Sequence, residues 1–148
     1  MKPDDPGERP GPLTAADDFE IRQLIARYSW ALDTKDSDEM GNVFTPDGVF
    51  RGASRVTEGR EALRAFGHAP NPESREQQHF VTNIVLEGDS QRARARCYVV
   101  VIRPDSYYMG YYLDDLVKTD GRWAFRSRAF TRWPADRDRV AQHFAEAP

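Results

Sequence analysis

A single cysteine, Cys97, leaves this 148-residue chain without an internal disulfide, which fits a reducing compartment. That cysteine reads as a small apolar side chain buried on a strand. Long apolar runs are missing too. The first residues carry none, so no signal peptide is expected, and no stretch reaches the roughly 20 residues of a membrane span. We therefore expect a cytoplasmic protein with no membrane partner. Neither sign of charge dominates: 21 Lys and Arg stand against 24 Asp and Glu, a net charge of −3. This gives no footprint for nucleic acid. His68, His79 and His143 lie far apart with no Cys/His spacing of a zinc site, so no metal is expected. The phosphate cradles G-x-x-x-x-G-K-S/T and G-x-G-x-x-G are absent, as is the G-x-S-x-G elbow of serine hydrolases. We expect no cofactor.

What is present falls into an ordered sequence of elements. Residues 1–13 hold four of the ten prolines and read as a disordered tail, leaving 14–148 as one domain. Thr14 offers an N-cap, with Asp17 and Asp18 in the first turn. Ile21, Leu24, Ile25, Tyr28 and Leu32 then recur at helical spacing. Asp36 with Glu39 marks a second helix start, carrying Met40, Val43 and Phe44 and stopping at the turn Thr45-Pro46-Asp47-Gly48. Residues 49–51 and 55–57 look like short strands, and 60–67 like a third helix with Leu63 and Phe66 inward. A polar, proline-containing loop covers 68–76.

Beyond it the period changes to two. His79–Leu86, Arg92–Ile102, Tyr107–Lys118 and Arg122–Trp133 read as four long strands. Their connections are short, so consecutive strands run antiparallel, and Asp120-Gly121 is a type I′ hairpin signal. A short helix over 136–146 ends the chain. The fold class is α+β: a cone-shaped, strongly curved antiparallel sheet with N-terminal helices closing a central pocket.

Two residues stand out as carriers of chemistry. Asp33 follows the apolar stripe of the first helix, where that helix reaches the mouth of a cavity; the alternative is a solvated helix end. His79 opens the first long strand, on the face that alternation gives to Val81, Asn83 and Val85; the alternative is a hydrogen-bonded core histidine. An Asp33 carboxylate bonded to one ring nitrogen fixes the tautomer and lets the other nitrogen take a substrate proton. Arg96 and Tyr98 share one face of the second long strand and are candidates for a general acid. Tyr107, Tyr108, Tyr111 and Tyr112 read as sheet packing and a subunit interface.

The strings IRQLIARYSWALDTKD, DGVF, HFVTNIVLEGD and DGRWAFRSRAF resemble the SnoaL-like proteins of the nuclear transport factor 2-like superfamily. Within that group the pattern looks like scytalone dehydratase, hexachlorocyclohexane dehydrochlorinase and the bile-acid dehydratases. The resemblance covers roughly residues 15–133. It implies an Asp–His pair at Asp33 and His79. It also implies helper roles for Tyr28, a pocket hydrogen-bond donor in some relatives, and for Arg128, which matches an arginine thought to attract a leaving anion. Alternation places Arg128 opposite Trp123 and Phe125 unless a bulge intervenes. The sequence departs from scytalone dehydratase, whose two pocket tyrosines and second histidine become Leu32, Phe50 and a residue near Arg96.

The combined expectation is a cofactor-independent lyase of dehydratase type, acting on a small hydrophobic, cyclic substrate through His79 as base and Asp33 as its orienting group. Trp30, Phe50, Phe66, Val81, Asn83, Arg96 and Tyr98 are expected to line the substrate. A cyclase or isomerase using the same dyad is one alternative, and a non-catalytic binding or structural subunit is another. A sheet covered by helices on one face predicts a homodimer or homotrimer.

Overall fold

The computed structural model describes residues 9–67, 76–134, 137–143 and 145. The N-terminal helix α1 (Ala15–Thr34) begins where its cap predicts. Thr14 Oγ1 accepts from the Asp17 amide at 3.1 Å, and the Asp17 carboxylate accepts from the Thr14 amide at 3.0 Å. Such reciprocal capping satisfies two amides that the first turn leaves without partners. The predicted stripe is the buried one, with Ile21, Leu24, Ile25, Tyr28 and Leu32 all inside. Burying each aliphatic member contributes about 1.5–3 kcal/mol. Lys35, at φ 62°, ends the helix in a left-handed conformation.

Helix α2 (Ser37–Asn42) is capped by Asp36 and is shorter than the sequence suggests. Val43 closes it and Phe44 already opens strand β1 (Phe44–Arg51). The expected turn Thr45–Gly48 lies inside that strand as an irregularity, between the pairings Phe44↔Phe125 and Val49↔Ser127. A proline is tolerated there because the bulged backbone owes no ladder hydrogen bond. Strand β2 (Val56–Glu58), helix α3 (Arg60–Gly67), strands β3 (Gln78–Gly88), β4 (Arg92–Ile102), β5 (Tyr107–Thr119), β6 (Arg122–Arg132) and helix α4 (Arg137–Gln142) follow. Most of the predicted loop, residues 68–75 including His68, lies outside the described residues, as do residues 1–8 of the predicted tail. The remainder of that tail is part of the fold: Pro12 bridges to Asp89 and Gly11 accepts from the Ser90 amide.

The six strands form one curved sheet in the order β2-β1-β6-β5-β4-β3. The expectation of a purely antiparallel sheet needs one correction, because β1 pairs with β6 in parallel and the sheet is mixed. Two further irregularities decide which side chains face the helices. In β3, Asn83 and Ile84 stand opposite the single residue Cys97, and Asn83 adopts φ 55°. In β6, Arg126 is an extra residue between Phe125 and Ser127. Cys97 is buried on β4, as expected, and burial pushes its thiol up to about 12. No helix of the described chain is long and apolar enough to cross a membrane.

Candidate active site

Helix α1 delivers Asp33 to the first inward-facing residue of β3, which is His79. The His79 amide donates to Asp33 Oδ2 at 2.9 Å, and His79 Nδ1 lies 2.5 Å from Asp33 Oδ1. A carboxylate only accepts, so Nδ1 carries the proton of that bond and Nε2 is the basic nitrogen of the neutral ring. Nε2 has no hydrogen-bond partner among the described residues. The His79 side chain is 3% exposed and that of Asp33 16%. A cleft of about 660 Å³ opens beside the pair at the seam between α1 and β3, with Trp30, Asp33, His79, Phe80 and Val81 on its walls. Trp30 is 71% exposed there.

The inward row of the sheet continues from His79 through Val101 on β4 to Tyr108 on β5. Two strand spacings separate the ends of that row, roughly 10 Å of backbone. Tyr108 is half-buried, and burial raises its phenol above the ordinary value. The guanidinium groups of Arg103 and Arg132, over its ring at 5.2 and 5.6 Å, oppose that rise, and the Asp33 charge adds to it. Val81, Phe66 and Phe130 pack half-buried around the same side of the core. Phe50 is buried, its ring 5.1 Å from that of Phe66 and 6.3 Å from that of Tyr28.

Deeper in the core sits Arg128, paired with an aspartate, Asp114, that the sequence reading missed. The bulge at Arg126 turns Arg128 onto the face of Trp123 and Phe125, where it is fully buried. Its Nε and Nη2 donate to the two oxygens of Asp114 at 2.7 and 2.8 Å. The rings of Tyr28, Tyr112 and Phe125 surround the guanidinium at 4.4, 4.1 and 4.3 Å. Burial raises the Asp114 carboxyl and Arg128 opposes the rise, while Tyr28 is pushed well above the ordinary phenol value. Arg128 Nη1 and the Tyr28 hydroxyl are buried without a well-formed hydrogen bond among the described residues. Neither Tyr28 nor Arg128 is on the walls of the cleft beside Asp33. Asp114 was legible in principle: in YYMGYYLDDLVK it shares the inward parity of Tyr108, Tyr112 and Leu116.

Three expected substrate contacts lie on the opposite face of the sheet. The β3 bulge reverses the parity that tied Asn83 to His79, and Asn83 points outward with Val85. Arg96 and Tyr98, across from them on β4, share that outer face. Together they border a separate cleft of about 560 Å³ beneath Val140 and Ala141 of α4. Arg96 and Tyr98, considered as proton donors, therefore stand on the other face of the sheet from His79. Among the described residues no three His, Cys, Asp or Glu side chains cluster as a metal site.

The fold matches several solved proteins. One from Nostoc punctiforme, of unknown function and cystatin-like fold, superimposes with a TM-score of 0.77 at 27% identity, covering 83% of this chain and 96% of that one. A Catenulispora acidiphila protein solved in complex with S-DNPA is 31% identical over 86% of this chain and 99% of its own, with a TM-score of 0.68. LinA, at 19% identity and a TM-score of 0.71 over 79% of this chain and 86% of its own, shares the fold. The SnoaL-like domain matches residues 14–129, from the cap of α1 into β6, and the chain belongs to that family.

Proposed function

We propose that this SnoaL-like protein is a cofactor-independent lyase of dehydratase type, in which His79 removes a proton from carbon and Asp33 orients the ring. The observation that supports this reading is the two-point contact between Asp33 and His79, through the ring nitrogen and the backbone amide. The carboxylate holds the tautomer and stabilises the imidazolium formed when Nε2 takes the proton, and such general-base catalysis contributes about 10²–10⁴-fold. The apolar surroundings suit a small hydrophobic, cyclic substrate whose acidic carbon lies next to a carbonyl. The substrate lies between His79 and Tyr108, with the half-buried Val81, Phe66 and Phe130 around it and Trp30 at the approach. As the C–H electron pair becomes a C=C bond, the β-hydroxyl leaves as water. Its proton comes from the Tyr108 phenol, which an ordinary value of about 10 already leaves protonated at neutral pH. Once the product leaves, His79 gives up its proton and the phenolate regains one. Arg128 and Tyr28 act from below as electrostatic helpers, with Asp114 holding the guanidinium in place. Return of the proton to another carbon, instead of loss of water, would make the same dyad an isomerase.

The test uses a panel of cyclic β-hydroxyketones in deuterated water, followed by proton NMR. Wild type should exchange the α-proton faster than buffer and release an unsaturated product. His79→Ala should lower exchange by about a hundredfold or more, and Asp33→Asn should act in the same direction. Tyr108→Phe should keep exchange while losing product. Tight binding of several compounds with no exchange above buffer would replace this reading with that of a binding module.

A further inference from the structure

The outer face of the sheet carries a groove that the proposed chemistry does not use. It lies where the β1 irregularity at Thr45–Gly48 meets the extra residue Arg126 of β6, on the face opposite Asp114 and Arg128. Its volume is about 450 Å³, within the range of small-molecule sites. Arg51 of β1, Arg92 and Arg94 of β4 and Arg126 of β6 converge on it, against Asp47 and Asp115. Asp115 is already committed: Arg94 Nε donates to it at 3.0 Å and Ser127 Oγ at 3.0 Å. The side chains of Arg51, Arg92 and Arg126 make no hydrogen bond, ion pair or ring contact among the described residues.

That clustering contrasts with other arginines on the surface of this net-negative chain. Arg22 pairs with Asp18, Arg27 with Glu39 and Arg64 with Asp38. Among the described residues four guanidinium groups and two carboxylates line the groove, an excess of two positive charges. Guanidinium forks match the oxygens of phosphate in bidentate fashion, and several of them offer more donors than a single carboxylate can accept. Val49 and Val117 supply an apolar surface between the charges. We propose that this groove binds a small molecule bearing a phosphate or diphosphate group, held by Arg51, Arg92 and Arg126. Asp47 opposes the anion and keeps the affinity moderate.

The probe is inorganic pyrophosphate, titrated into the ¹⁵N-labelled chain with sodium chloride adjusted to constant ionic strength. Saturable shifts are expected at the amides of Arg92, Arg94, Arg126 and Ser127. Arg92→Ser combined with Arg126→Ser should weaken binding roughly tenfold or more. Asp47→Asn should tighten it, and Arg22→Ser with Arg27→Ser should leave it unchanged. Shifts that never saturate, or an equal loss in the Arg22/Arg27 control, would overturn the proposal. Should the double arginine variant fail to fold, Asp47→Asn decides alone: unaltered affinity there overturns it.

Discussion

Asp17 accepts from Lys118 Nζ at 2.8 Å and from the Trp123 indole at 2.9 Å, besides closing the α1 cap. Lys118, with the Thr14 amide, holds its carboxyl well below the usual range. A lowered folded value means that the unfolded chain binds this proton more readily. The stabilisation is complete above the ordinary aspartate value of about 4 and disappears as pH falls below it toward the folded value. Urea midpoints for wild type should therefore drop between pH 6 and pH 3, and Asp17→Asn should flatten that drop while lowering the midpoint at pH 6. The buried pair invites a different experiment. Removing one partner strands a charge in the core, so Asp114→Leu or Arg128→Met alone should cost about 3–5 kcal/mol. The double variant should cost far less than the two costs added together. Denaturant unfolding of the three variants gives the coupling, and simple additivity would show that the pair is not a unit.

At the scale of elements, the helix stripe, the caps and the bounds of β4 were readable because each rests on local periodicity. The outward turn of Asn83 was not readable, since a bulge answers to the neighbouring strand and leaves little trace in its own sequence. The same holds for Arg128, whose inward direction depends on one extra residue in β6. The parallel pairing of β1 with β6 joins segments about 80 positions apart, beyond what turn chemistry can reveal. Asp33 and His79 were legible through family likeness and Asp114 through the parity of β5, whereas the place of Tyr108 on the row of His79 needed the register. Gly110 shows how register also sets composition. A Cβ there would stand 2.5 Å from both the Phe130 ring and the Thr131 carbonyl. Gly110→Ala should cost about 1–3 kcal/mol through overpacking, read as a lower thermal midpoint, and should displace Phe130 from the proposed substrate space.

For the whole molecule, the uncovered side of the sheet is the main unfinished surface. Phe80, Tyr98, Ile102, Tyr107 and Met109 are exposed on adjoining rows of β3, β4 and β5. Single exposed apolar residues are ordinary, but a contiguous set marks an interface. Self-association through this face is our expectation: sedimentation should give a mass above the 16.9 kDa of one chain, and Ile102→Glu with Tyr107→Glu should return it to that value. A monomeric wild type would remove the idea. One architectural consequence follows from the anchoring of α1. Its 20 residues make a rod of about 30 Å, riveted at one extremity to the β5–β6 hairpin and bearing Asp33 near the other. Loosening the rivet swings the far tip like a lever arm, so a substitution more than 20 Å from His79 can detune the dyad without altering any atom near it.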